Sequence, residues 1–259
     1  MINFQKAEIA FKEFLQKYNI QDGKVSLKIR HTYKVVEASE FIAKDLNLSE
    51  EDIELAKIIA LLHDIGRFEQ LKRFDSFLDA QTIDHADLGV QILEENNFIR
   101  TFIQDSKYDS IILKAIKNHN KLKVQEGLTQ KELLHANIIR DADKTDNFRV
   151  KTEDRFEDIL HANRELLENS KISEHIYNNF MNNQIIIHTD RVEFLDYWIS
   201  YLAFLFDFNF TSGLKYIKEK DYVNKIVDRL DYKIPDSKEK MEEIRKHALE
   251  YIDNRLKNI

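Results

Sequence analysis

The sequence predicts an all-α protein. The 259 residues include one Pro and five Gly, too few turn formers for a sandwich, a barrel or a doubly wound sheet. Apolar residues recur three and four apart through most of the chain, the period of a buried helix face. With 43% apolar residues there is material for one large domain or two small ones. Cys is absent, which excludes disulfide scaffolds, thiolate zinc sites, iron–sulfur clusters and cysteine nucleophiles. Acidic residues number 46 against 39 basic ones, and the net charge of -7 argues against duplex nucleic acid as a partner. The opening MINFQKAEIAFKEFLQKY is amphipathic and lacks a leader's apolar stretch. The longest apolar run, Tyr197 to Phe210, is broken by Ser200, Asp207 and Asn209. A cytoplasmic protein with no membrane span is expected.

Element by element, a first helix is expected over Ala7 to Tyr18, closed by the turn at Gly23, and a second over Leu27 to Leu46. Ser49 opens a third. Asp52 takes its third position, Leu48 and Ile53 suit a hydrophobic staple, and Leu55, Ile58 and Leu62 extend the face until Gly66 ends it. Arg67 to Asp84 reads as irregular. Helices resume over His85 to Asn96, Ser110 to Asn120 and Thr129 to Asp146, with Gly127 between the last two. Residues 1–146 are expected to form the core, and residues 147–259 a helical extension packed on it. In the extension, Glu153 to Glu168 and Glu174 to Asn183 read as solvated helices, and Ser237 to Lys257 as a charged one. Arg191 to Phe206 carries a wide apolar face around Trp198, expected in the core or, if exposed, at a homodimer surface.

The chemistry lies in where His and Asp fall. His31 shares a stripe with Val35, Ala38 and Ile42, and His63 follows Ala56 and Ile59. His85 heads a stripe with Gly89 and Ile92, His119 closes one with Ile112, Ala115 and Ile116, and Asp143 follows Ala136 and Ile139. A single inward His is ordinarily a satisfied core residue, but an unpaired buried carboxylate costs several kcal/mol. Together, His31, His63, Asp64, His85, His119 and Asp143 are better explained by divalent metal ions that neutralise the carboxylates and take the imidazoles as ligands. A nitrogen and carboxylate set without sulfur suits Fe, Mn, Zn, Co or Ni. Neighbours on a helix point about 100° apart, so His63 and Asp64 meet one ion in the notch between them, and a carboxylate can also bridge two. One site would use His31, His63, Asp64 and Asp143, the other Asp64, His85 and His119. Two ions roughly 3.5–4 Å apart activate water and clamp the oxygens of an in-line phosphoryl transfer. Asp141 competes with Asp143 but falls nearly opposite on the helix. Gly89 suggests a close approach of a helix or of the metal cluster beside His85. His135, His161, His175, His188 and His247 lie outside the pattern and suit surface or structural roles.

The order His31, His63-Asp64, Asp143 resembles the signature of the HD superfamily of metal-dependent phosphohydrolases. LLHDIGR at Leu61 to Arg67 is similar to its central motif, and RDADK at Arg140 to Lys144 to its terminal one. DHADLGVQIL, with NHN at Asn118 to Asn120, resembles the extra histidines of the dinuclear branch. The likeness spans about residues 25–150. It implies a helical core and a phosphohydrolase that cleaves a phosphate ester, of a nucleotide or related small molecule, through a metal-bound hydroxide. NHNKLKVQEGL stands where the cyclic-diguanylate phosphodiesterases carry Gly-Tyr-Pro, which argues against that substrate. The alternative is a di-iron oxygenase, because some relatives use the same six ligands to activate O₂. A silent ligand-sensing domain is a third reading.

Basic residues near the ligands are candidates to hold the phosphate: Arg67, Lys72 and Arg73, the last two in the expected loop, and Lys144. Asp64, Arg67 and Lys144 are the candidates to act in the reaction, the two cations by neutralising charge on the transferring group.

Overall fold

A computed structural model describes residues 2–157 and 162–257, and His161 falls outside them. Its described regular elements are all helical, as the composition predicts. They divide into two compact units, one up to Asp143 and one from Lys144 onward.

The first unit holds α1 (Phe4–Leu15), α2 (Gly23–Asp45), α3 (Glu50–Leu62), α4 (Ile65–Phe74), α5 (His85–Glu94), α6 (Asp109–Asn118) and the start of α7 (Gln130–Glu153). Short polar residues open the early helices by taking up free backbone N–H groups. Asn3 accepts from Lys6, Asp22 from Lys24 and Val25, and Ser49 from Asp52. α3 is the central element. Ile53, Leu55, Ala56, Ile58, Ile59, Ala60, Leu61 and Leu62 are all buried on it, so it is apolar on nearly every side. It packs against α1, α2 and α6, while α5 packs against α4 and α6. His63 and Asp64 therefore emerge at the end of the most enclosed helix of this unit.

The chain departs from expectation just after them. Gly66 does not end a helix: it lies within α4, which runs through the stretch expected to be irregular and carries Lys72 and Arg73 in its last turn. A Cβ at Gly66 would sit 2.2 Å from the His85 carbonyl oxygen and 2.7 Å from the Gly89 nitrogen. The glycine is there because the backbones of α4 and α5 touch. Gly89 faces it, and a Cβ there would lie 3.4 Å from Ile65 Cγ2. The close approach expected at Gly89 is thus a helix crossing, with Gly66 the tighter of the two.

α7 is a second departure. It continues to Glu153, so Asp143 lies inside a helix rather than at its close. The chain then breaks at Asp154 and Arg155, and Glu153 to Glu168 is not one helix. Beyond α7 the second unit contains α8 (Arg164–Glu168), α9 (Glu174–Met181), α10 (Phe194–Leu202), α11 (Thr211–Glu219), α12 (Tyr222–Val227) and α13 (Pro235–Lys257). α13 lies against α9, α11 and α12. Leu195, Trp198, Ile199 and Leu202 are fully buried in the core of this unit. The face around Trp198 is core, and the reading of it as an exposed dimer surface falls.

Candidate metal centre

Asp64 stands between α3 and α4, 2% exposed, and although it occupies the N-cap position of α4 its side chain caps nothing. Its carboxylate faces imidazoles instead. Oδ2 is 3.6 Å from His31 Nε2 and 3.6 Å from His63 Nε2. Oδ1 is 3.4 Å from His85 Nε2 and 3.7 Å from His119 Nε2. Asp143 Oδ1 lies 3.1 Å from His31 Nε2. Five elements thus bring together the six side chains singled out from the sequence: α2, the α3–α4 junction, the start of α5, the end of α6 and α7. Asp141, the competing candidate on the same helix, is fully buried.

The hydrogen bonds behind the rings set their tautomers. His63 Nδ1 is 2.7 Å from the Ala60 carbonyl oxygen, and His119 Nδ1 is 2.7 Å from that of Ile116. His85 Nδ1 is 2.6 Å from Asp79 Oδ2. These oxygens only accept, so each Nδ1 carries the hydrogen and each Nε2 presents a lone pair to the centre. His63 Nε2 is buried with no hydrogen-bond partner. The Nε2 atoms of His85 and His119 are 3.0 Å apart, lone pair towards lone pair. Burial pushes both His63 and His85 down to about 4, so they are neutral near pH 7. Burial opposes the Asp64 charge, but the Lys28 ammonium beside it holds its carboxyl well below the usual range. Neutral imidazoles with converging lone pairs around an ionised carboxylate are what a divalent cation requires. His31, His63 and Asp64 can hold one ion, and Asp64, His85 and His119 another.

Two neighbours were not singled out from the sequence. Lys28 Nζ is 2.7 Å from Asp64 Oδ2. Its signal was available, since Lys28 lies one helical turn before His31, at i and i+3. Asp79, in the α4–α5 connection, had no periodic signal at all.

The proposed cations divide three ways. Arg67 reaches the centre, with Nε 3.8 Å from Asp64 Oδ1, but its Nη1 is committed to Asp79, Gln70 and the Phe77 carbonyl. Lys144 is held by the carboxylate and carbonyl of Asp207, each at 2.6 Å. Lys72 lies over the Tyr18 ring and Arg73 pairs with Glu69, on a surface cleft whose lining includes none of the six clustered side chains. A helix at 65–74 rather than a loop turns them there. Among the other histidines, His135 pairs with Asp52, His175 with the Asp190 carbonyl and His247 with Asn183, and His188 is exposed.

No helix among the described residues is long and apolar enough to cross a membrane. No curated protein and no solved structure matches the chain. Residues 29–147 match the family model of the HD domain, a span that contains all six residues of the centre. With motif order, helical fold and the buried His/Asp cluster in agreement, this chain carries an HD domain over residues 29–147.

Proposed function

We propose that this protein hydrolyses a small phosphate ester of the nucleotide class at a two-ion centre. His31, His63, Asp64 and Asp143 would hold one ion, and Asp64, His85 and His119 the other. One observation carries this reading: the two oxygens of Asp64 face separate histidine pairs, the disposition a bridging carboxylate needs. When bound, such ions supply an activated water and neutralise phosphoryl oxygens.

The protein's own side chains do the remainder. Ala60 and Ile116 carbonyls keep His63 and His119 in the ligating tautomer. Lys28, with 15% of its side chain exposed, balances Asp64 at the border between the buried centre and solvent. An ammonium there is placed to receive an anionic phosphate once Asp64 is otherwise neutralised. The Phe77 ring lies 5.3 Å from Lys28 Nζ and 5.6 Å from the Arg67 guanidinium, an apolar wall that lowers the local dielectric around both cations. We assign Lys28 to the substrate and Arg67 to the support of the centre. Lys144, engaged by Asp207, and Lys72 and Arg73, on their separate cleft, are left out of the assignment.

Metal analysis followed by a panel of nucleotides, sugar phosphates and bis(p-nitrophenyl) phosphate, each with Mn, Co or Ni, tests the reading. Two ions per chain and turnover of at least one ester are expected, with Lys28→Ala raising KM more than it lowers kcat. A diiron protein that consumes O₂ and cleaves no ester would overturn it in favour of an oxygenase.

A further inference from the structure

We propose that Asp79 is a positioning residue that fixes the tautomer and aim of His85, and that the second ion is bound only as tightly as this contact allows. The inference rests on the two-ion reading above and concerns one half of that centre.

The rings of His63, His85 and His119 are not held alike. His63 and His119 follow the C-terminal ends of α3 and α6, and each donates Nδ1–H to the carbonyl three residues back in its own helix. Those carbonyls lie in the last turns of their helices, where acceptors outnumber backbone donors, so the fold supplies them without extra residues. His85 is the first residue of α5 and has no preceding helical turn. Its acceptor must come from elsewhere, and it comes from the loop: Asp79 Oδ2, at 2.6 Å.

Asp79 is itself held from α4. Its Oδ1 accepts from Arg67 Nη1 at 2.7 Å and from Gln70 Nε2 at 2.9 Å. Gln70 is fully buried, and the same amide nitrogen reaches Thr82 Oγ1 and the Ile83 carbonyl at 2.8 and 2.9 Å. Arg67 Nη1 donates to Gln70 Oε1 as well, which fixes the orientation of the amide. A clamp that only tied the loop to α4 would be complete with Thr82, Ile83 and Gln70. The Asp79 carboxylate adds a charged acceptor, one oxygen spent on the clamp and the other on His85. An imidazole backed by a carboxylate is a more basic ligand than one backed by a carbonyl. His85 therefore carries a reinforcement that His63 and His119 lack.

Two measurements on the full chain test this. In the metal-free protein, ¹⁵N–¹H NMR of the His85 ring should show the Nδ1–H tautomer in wild type and loss of that preference in Asp79→Ala. In cobalt titrations followed by visible absorption, Asp79→Ala should weaken the second ion by about 10–100-fold and leave the first unchanged. Asp79→Asn keeps an acceptor without the charge, so it should preserve the tautomer while still weakening the second ion, and it decides the matter if the Ala variant fails to fold. Wild-type tautomer and wild-type affinities for both ions in a folded variant would overturn the proposal. A wild-type protein that binds a single ion would overturn the two-ion reading itself, before any variant is compared.

Discussion

Asp64 in the first unit and Asp196 in the second are both almost completely buried, at 2% and 0% exposed, and they are used in opposite ways. Asp196 accepts from the Ser173 backbone and hydroxyl at 3.0 and 2.7 Å, and from the Val192 and Glu193 backbone at 3.0 and 2.9 Å. Every one of those partners brings a hydrogen, and the carboxylate is spent on folding the entry to α10. Asp64 has Lys28 at 2.7 Å and the more distant Arg67 Nε at 3.8 Å, and otherwise faces four imidazole nitrogens. At least three of these, those of His63, His85 and His119, carry no hydrogen. Burial of a charged group therefore does not by itself mark a site. A carboxylate surrounded by lone pairs has a place for a cation, and one surrounded by N–H and O–H groups does not.

Exchanging the charge at each position breaks the comparison most directly. Asp64→Asn removes the charge common to both sets of ligands, so metal affinity should fall at least about 100-fold. Turnover should fall with it while far-UV circular dichroism stays helical. A variant that keeps its metal would sink the centre as assigned. Gly66→Ala comes next. The new Cβ meets backbone of α5, which must move, at a cost of about 3 kcal/mol. Because His85 rides on α5, the second ion should weaken while the His31–His63 side holds, and equal loss at both sites would argue that the crossing serves packing alone. Asp196→Asn should cost about 2 kcal/mol in denaturant unfolding, since the amide cannot accept from all its former donors. Metal content should not change.

The six side chains of the cluster were legible because each lies on or beside a helix whose apolar spacing shows which way it faces. The connections between helices were less so. A glycine at the end of a helix and a glycine where two helices touch look the same in sequence, and Gly66 belongs to the second kind. Misplacing it opened a loop at 67–84 and gave Lys72 and Arg73 to the substrate, although α4 turns them to Tyr18 and Glu69. Asp79 sits in a 3-10 turn with no periodic neighbours, so only three-dimensional proximity connects it to His85. The end of α7 was hidden for another reason: residues 147–153 continue the helix without the chemical markers that identified its first part.

A third buried carboxylate separates the role from the unit. Glu132 lies in the first unit, as Asp64 does, yet its partners resemble those of Asp196. Lys114 Nζ and the Ser110 hydroxyl donate to Oε1, and the Thr129 backbone N–H donates to Oε2 at 2.8 Å, opening α7. The Glu132 backbone N–H returns a bond to Thr129 Oγ1, which completes a capping box. Lys114, then Ser110 and Thr129, hold the carboxyl at about 2 against an ordinary 4.5. A folded-state value below the unfolded one means that the stabilisation is complete above pH 4.5 and is lost as pH falls through 2. Glu132→Gln should therefore be about 1 kcal/mol less stable than wild type at pH 7. The gap should close in thermal melts taken towards pH 2, while metal content at pH 7 stays at the wild-type value. A gap that is the same at every pH would mean that the ionised carboxylate is not what holds the start of α7. Loss of metal in this variant would mean that a carboxylate spent on donors still serves the centre, and the distinction drawn between Asp64 and Asp196 would fail.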